Sequence, residues 1–286
     1  MIVLLALVVL GTLLVGTLFA AMLDRSHLSI VAFFARQRVE TEAPDRLNRD
    51  LAPAWYLTLA GAGLSVVPFA PGLALIDSPV GIVIWGSCEA LVIVTVFLHG
   101  WSPNAPFPLI GAYRYAAIGL PVMLPSMFVL IAAALPAESL SLIAIVESQR
   151  EIWNVIRQPL GLPLFLIVAL AMTLRGPMDY ADAADIATGT SAEASGAGRA
   201  LWQTARLAML VSVSAIAATV FLGGPLGPLL PGPVWLWLKT AALMALIVLL
   251  GNRIARTTPS RMMWILWVVL LPLSFLHLLI SGLVAL

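Results

Sequence analysis

Long apolar runs alternate with short polar connections along this chain, and the runs have the length of a bilayer crossing. Eight are read, at about 1–23, 52–75, 79–100, 112–135, 159–175, 201–223, 233–251 and 262–285. A hydrocarbon core about 30 Å thick takes roughly 20 apolar residues per helix. Strands of a membrane barrel would alternate apolar and polar residues at period two, and none of these runs does so. The first run, Ile2 to Met22, has no basic leader and is long enough to span, so it is read as a retained helix rather than a signal peptide. The pattern predicts an all-α polytopic membrane protein of about eight transmembrane helices plus interfacial helices. Residues 1–286 form one integral membrane domain, with loops at about 24–51, 101–111, 176–200 and 252–261 on one side.

Several runs carry interruptions. Pro68 and Pro71 in the second, and Pro121 and Pro125 in the fourth, remove backbone donors and favour kinks. Ala60, Gly61 and Gly63 give the second helix a small-residue face for close helix contact, as in ordinary membrane packing. Glu138 to Arg157 is too charged to span, and its apolar residues Leu140, Leu142, Ile143, Ile145, Ile152 and Val155 suit a helix lying on the membrane surface. Residues 24–50 carry five Arg, five acids and one His, with Phe33 and Phe34 near their start, and read as a second interfacial segment.

Composition confirms the class. The chain is 61% hydrophobic and 10% charged, with a mean hydropathy of +1.03, whereas a soluble domain is about one quarter charged. Twelve of the fifteen Lys and Arg fall on the odd-numbered connections, Arg150 and Arg157 fall on the even ones, and Lys239 lies inside a helix. The positive-inside rule then puts the odd loops in the cytoplasm and both termini outside. A bacterial or archaeal inner membrane is the expected location. The net charge of +1 carries no message about nucleic acid.

Little in the chain can carry redox chemistry. One cysteine, Cys88, excludes a cluster held by four thiolates. His99 ends the third helix and His277 lies deep in the eighth, so they cannot share a haem, and His27 is in the first loop. No phosphate loop or dinucleotide glycine fingerprint is present. The chain is expected to bind no cofactor and to be non-catalytic alone.

The ionisable residues are more informative. Four of the fourteen acids, Asp179, Asp182, Asp185 and Glu193, sit within fifteen positions of the 176–200 loop. At spacing three, the aspartates repeat along one side of a helical turn and titrate as a coupled set. A solvated loop face or a docking surface for a basic partner accounts for them as well. Glu89 stands near the middle of the third helix, where a charge is expensive and marks a pathway, or a neutral carboxyl bonded to a neighbouring helix. Lys239 can snorkel or pair with a buried acid. Arg206 opens the sixth helix and can snorkel, and Arg114 caps the fourth on the basic side.

These residues carry a resemblance. Gly100-Trp-Ser-Pro-Asn104 with Leu109-Ile-Gly-Ala-Tyr-Arg114 resembles the third-to-fourth connection of respiratory complex I subunit 1, the H-type membrane component of NADH-quinone oxidoreductase. That family is shared with membrane-bound hydrogenases and formate hydrogenlyase. Gln158-Pro-Leu-Gly161, Arg175-Gly-Pro-Met-Asp179 leading to Asp182, Glu193-Ala-Ser-Gly196 and Phe221-Leu-Gly-Gly224 are similar to it in order and spacing. So are Leu238-Lys239, Arg253, Arg256, Pro259, Arg261 and Leu271-Pro-Leu-Ser274. The resemblance implies a membrane-anchoring and coupling subunit whose cytoplasmic loops meet peripheral iron–sulfur and hydrogenase-like or quinone-reducing subunits. The iron–sulfur cluster, or a nickel–iron site, then belongs to those partners, and a quinone is a possible substrate. Antiporter-like membrane subunits would move protons or sodium, with Asp179, Asp182, Asp185, Glu193 and Glu89 as coupling acids and Arg114, Arg175, Arg206 and Lys239 as their charge partners. Where the family places acids, this chain has Met123, Met172 and Arg206, and its first loop lacks the family's basic motif. These departures favour a divergent, hydrogenase-type relative, or a docking-only subunit that has lost translocation. A free-standing secondary transporter is the alternative from another class, but no inverted internal symmetry is visible.

Overall fold

The computed structural model describes residues 2–24 and 45–285, so the first-loop segment lies mostly outside the described residues. The chain runs α1 (Ile2–Leu23), α2 (Arg46–Ser65), a small hairpin β1 (Pro68–Ala70) and β2 (Leu73–Ala74), α3 (Gly81–Trp101) and α4 (Pro106–Ala134). Then follow the short α5 (Leu142–Glu147) and α6 (Asn154–Arg157), α7 (Gly161–Met172), α8 (Gly196–Phe221) and α9 (Gly232–Arg253). The last crossing joins α10 (Pro259–Ile265) through a π-helical turn (Leu266–Leu270) to α11 (Leu271–Ala285). Apolar side chains in lipid leave the backbone no partner but itself, which is why the long runs become helices. Pro272 explains the wide turn before α11, because its ring would strike a carbonyl one turn back in a regular helix.

Among the described residues, six crossings are long and apolar enough to span: α1, α3, α4, α8, α9 and the α10–α11 pair. The two remaining predicted spans differ. The second starts earlier than the apolar run, at Arg46, because the Asp45 carboxylate accepts from the Asn48 amide at 3.2 Å and caps α2. It also stops at Ser65, so Pro68 and Pro71 do not kink a helix; they shape the hairpin, which turns at Gly72 with φ +71°. The 159–175 run is helical over only 12 residues, about 18 Å at 1.5 Å per residue and short of the hydrocarbon thickness. It unwinds at Leu174, whose φ is +52°. Pro121 and Pro125 lie inside the unbroken 29-residue α4.

The hub is α8. Of its most apolar stretch 89% is buried, against 28% for α1 and 22% for the final crossing, whose outer faces are left for lipid. The predicted close contact on α2 is real at Gly63, where an added Cβ would strike the Trp85 ring of α3 and the Ser212 hydroxyl of α8.

The 138–157 segment is not one helix but the two short helices α5 and α6, exposed on one side at Ile152 and Ile156 and buried on the other. It plugs one end of the bundle with two fully buried amides. Gln149 donates to the carbonyls of Ile145 and Thr219, both at 3.0 Å, and accepts from the Gly223 amide at 3.0 Å. Asn154 donates to Ala133 at 3.1 Å and to Val220 at 2.9 Å. Satisfying the carbonyls where α4 and α8 end is worth more to these polar side chains than solvent contact.

Candidate functional site

At the opposite end from this plug, residues 173–195 fold back over the helix termini. Two short helical turns, Ala184–Ile186 and Gly189–Ser191, are its only regular pieces. The second turn wedges between α3 and α4 because those helices present glycines. A Cβ on Gly100 would lie 2.7 Å from the Thr190 methyl, and one on Gly111 would lie 3.0 Å from the Thr190 amide. Two glycines of the motifs noted in the sequence thus act as seats for this loop.

Its aspartates do not share one helical face. Each instead meets a guanidinium from a different element. The Asp182 carboxylate accepts from Arg206 of α8 at 3.1 Å, from the Thr190 hydroxyl at 2.6 Å and from the Ser191 hydroxyl at 3.1 Å. Arg206 also donates to the Leu174 carbonyl at 2.8 Å, so it is turned inward rather than snorkelling. Arg114 of α4 donates to Asp185 at 2.6 Å. Arg256, from the α9–α10 connection, reaches Asp185 and Asp179, both at 3.2 Å. Arg175 grips Asp24 at the end of α1 through both nitrogens, at 2.5 and 3.2 Å. The expected mutual repulsion of the acids is therefore offset pair by pair, since opposite charges at contact distance favour the ionised forms. The Arg114 hydrogen bond, followed by the charges of Arg114 and Arg256, holds the Asp185 carboxyl below the usual carboxylate range. Tyr180 donates to the Thr257 carbonyl at 3.0 Å, and burial raises its hydroxyl above the ordinary range.

Two of these pairs, Asp24–Arg175 and Asp179–Arg256, line a polar cavity of about 310 Å³ together with Arg206 and Asn252. Among its lining residues, one Asp179 oxygen and the Arg175 Nε are buried with no hydrogen-bond partner among the described residues. Beneath the loop, His99 stacks on Trp202 with ring centroids 3.7 Å apart, and Tyr56 lies 5.1 Å from the same indole. Tyr56 and Tyr115 bond the last carbonyls of α7, those of Met172 and Ala171.

The other predicted residues separate from this cluster. Glu89 is buried in the middle of α3, where Ser126 of α4 donates to Oε2 at 2.7 Å and Oε1 has no partner among the described residues. Glu193 lies on the approach to α8 and makes no ion pair with a described residue. Lys239 neither snorkels nor meets an acid. Its ammonium donates to the carbonyls of Leu222, Gly224 and Leu226 at 2.6, 3.0 and 2.6 Å, with the Trp153 ring centroid 4.3 Å away. It thereby caps the C-terminus of α8 at the plug end, where a cation suits the helix dipole.

Asp24 and the bridging role of Arg256 were not anticipated as site residues. Arg256 counted in the sequence as a topological charge and as one of the positions of the resemblance, not as a partner of the acids, and nothing local to Asp24 points to Arg175. His99 was noted solely as a haem ligand to be excluded.

The sequence profile of the family described as NADH dehydrogenase matches residues 3–282. The chain is 37% identical over 241 residues to an H-type component of the NADH-quinone oxidoreductase of Rhodopseudomonas palustris strain HaA2, the first of that kind there, covering 84% of this chain and 76% of the relative. Its namesake from strain BisB5 is 36% identical over the same shares, and a second H-type component, from strain ATCC BAA-98 / CGA009, is also 36% identical. These relatives stand on the quinone-oxidoreductase side of the resemblance rather than the hydrogenase side. Eight apolar runs, an arginine-latched acidic loop seated on Gly100 and Gly111, and a match over nearly the whole length place this chain in the NADH dehydrogenase family.

Proposed function

We propose that this chain is the membrane subunit of a multi-subunit quinone oxidoreductase, docking a peripheral iron–sulfur arm on its acidic-loop end and linking electron transfer to proton or sodium movement. The observation that carries this reading is the set of pairs Asp24–Arg175, Asp182–Arg206 and Asp179–Arg256–Asp185–Arg114 at one end of the bundle, of which Asp24, Arg175, Asp179, Arg206 and Arg256 line a polar cavity. These residues come from segments far apart in the sequence, so a charge change in the cavity acts directly on the Asp24–Arg175 and Asp179–Arg256 pairs and, through Arg206 and Arg256, reaches Asp182 and Asp185. The unpaired Arg175 Nε and Asp179 oxygen suit the donor and acceptor needs of a quinone headgroup. The redox metal is supplied by the partner, and this chain binds, orients and moves protons. Glu89 then serves as the deeper acid.

The positive-inside distribution supports a cytoplasmic position for this face in a bacterial or archaeal inner membrane. A docking-only version has one specific support, since this chain has Met123 and Met172 where the family resemblance leads one to expect acids. The test is to isolate the native assembly, identify its subunits by mass spectrometry, and measure quinone reduction and ion pumping with Asp179→Asn/Asp182→Asn. The reading requires an iron–sulfur partner and a marked loss of turnover with normal insertion. A solitary chain refutes it. Wild-type turnover and pumping in the double variant removes the role of the acids. Quinone reduction that depends on the acids, with no ion pumping even in wild type, establishes the docking-only version.

A further inference from the structure

At the plug end, away from the acidic loop, the turn after α4, the link from α6 to α7 and the helix α11 leave a crevice of about 380 Å³. Its two halves differ in chemistry. One half is the lipid-facing end of α11, where Ile280 is 49% and Val284 70% exposed. The other half carries Arg157 and Glu138, one charge of each sign, beside Gln158 and His277. Gln158 and His277 are each 4% exposed, yet Gln158 Oε1 and His277 Nε2 have no hydrogen-bond partner among the described residues. Gln158 spends its amide on the Ala132 carbonyl at 2.7 Å, so what remains unmet there is an acceptor. Arg157 uses one nitrogen on the Ser148 carbonyl at 3.3 Å and has further N–H groups to offer. A buried polar atom left unpaired costs about 1–3 kcal/mol, so two beside one crevice imply a group that satisfies them.

We propose that this crevice binds one aminophospholipid of the phosphatidylethanolamine type, independently of the reading given above. The phosphate meets the Arg157 guanidinium. The primary ammonium lies toward the Glu138 carboxylate and supplies the N–H that the Gln158 acceptor lacks. An acyl chain runs along Ile280 and Val284. The pairing of opposite charges selects a zwitterionic headgroup over an anionic one. The need for a donated N–H rejects choline, whose nitrogen carries only methyl groups.

The test uses the full chain in its native assembly, transferred to nanodiscs containing phosphatidylethanolamine, phosphatidylcholine and phosphatidylglycerol in equal parts. Lipids retained after mild detergent washing are counted by native mass spectrometry. The expected result is one phosphatidylethanolamine per chain, favoured about tenfold over each of the others, the size of one charge-assisted hydrogen bond. Arg157→Gln lowers retention of that lipid about tenfold, and Glu138→Gln abolishes its preference over phosphatidylcholine. Arg150→Gln, which breaks only the exposed pair with Glu147 at the same end, leaves retention unchanged. Equal retention of phosphatidylethanolamine and phosphatidylcholine shows annular lipid only and overturns the site. Preference for phosphatidylglycerol overturns the ammonium contact. Should Arg157→Gln fail to assemble, Glu138→Gln on its exposed turn still decides the matter, and wild-type selectivity in that variant refutes the proposal.

Discussion

Replacing Asp182 by asparagine removes one negative charge from the acidic loop and keeps its shape. The side chain is 10% exposed and its partner Arg206 26%, which places the pair between a surface bridge, worth about 0–1 kcal/mol, and a buried one, whose breaking costs about 3–5 kcal/mol. Asparagine can still accept from Thr190 or Ser191, and Arg206 keeps the Leu174 carbonyl, so the loss is about 2 kcal/mol. That is roughly a 30-fold rise in the local opening constant of residues 173–195. Hydrogen exchange of the loop amides in the assembled complex reads this directly. Arg206→Met should cost a similar amount, and the Asp182→Asn/Arg206→Met pair should cost clearly less than the sum, because the two residues act on each other. Quinone turnover should fall in both single variants. Unchanged exchange in Asp182→Asn, or strictly additive effects, would show that the pair does not hold the loop.

Three further outcomes follow from the same geometry. Glu89→Gln preserves the hydrogen bond from Ser126, so insertion and assembly should be normal while ions pumped per electron fall; unaltered pumping leaves Glu89 a packing residue. Lys239→Met strips three carbonyls of their donor and should destabilise the plug end by about 3 kcal/mol, seen as a thermal midpoint several degrees lower, and an unchanged midpoint argues against the cap. Arg114 holds the Asp185 carboxyl below its usual value of 3.8, so this latch contributes fully above that value and is lost as pH falls through the lower, folded one. Loop exchange, relative to its intrinsic rate, should accelerate in the native chain as the pH falls below the usual 3.8, and Asp185→Asn should show faster exchange at neutral pH with little further acid response.

Much of the molecule can be read from local pattern. Arg114, Arg175 and Asp179 stand in motifs that carry the family resemblance, and Glu89 is conspicuous as a lone acid in an apolar run. The misreadings have physical causes. Hydropathy sees Pro68 and Pro71 as part of a span, although a residue that cannot donate ends the helix and turns the chain. It sees 159–175 as one uniform helical run, although the regular helix is only Gly161–Met172 and the backbone unwinds beyond it, where Tyr56 and Tyr115 satisfy its last carbonyls. It sees Glu138 to Arg157 as amphipathic, although Gln149 and Asn154 find unmet carbonyls in the interior.

Spacing also misled for the acids. A period of three suggests one helical face, but seating against Gly100 and Gly111 bends the loop away from any helix. The partners of those acids are out of reach of a local pattern. Asp24 and Arg175 lie 151 residues apart, and Arg114 and Asp185 lie 71 apart. The sequence by itself determined the class, the number of apolar runs and which loops carry charge, because in lipid each crossing must satisfy its own backbone from nearby residues. Which carboxylate meets which guanidinium, and that Lys239 serves a helix end rather than an acid, was decided only when packing brought distant helix termini together. Ion pairing depends on distances of a few ångströms that no single segment specifies.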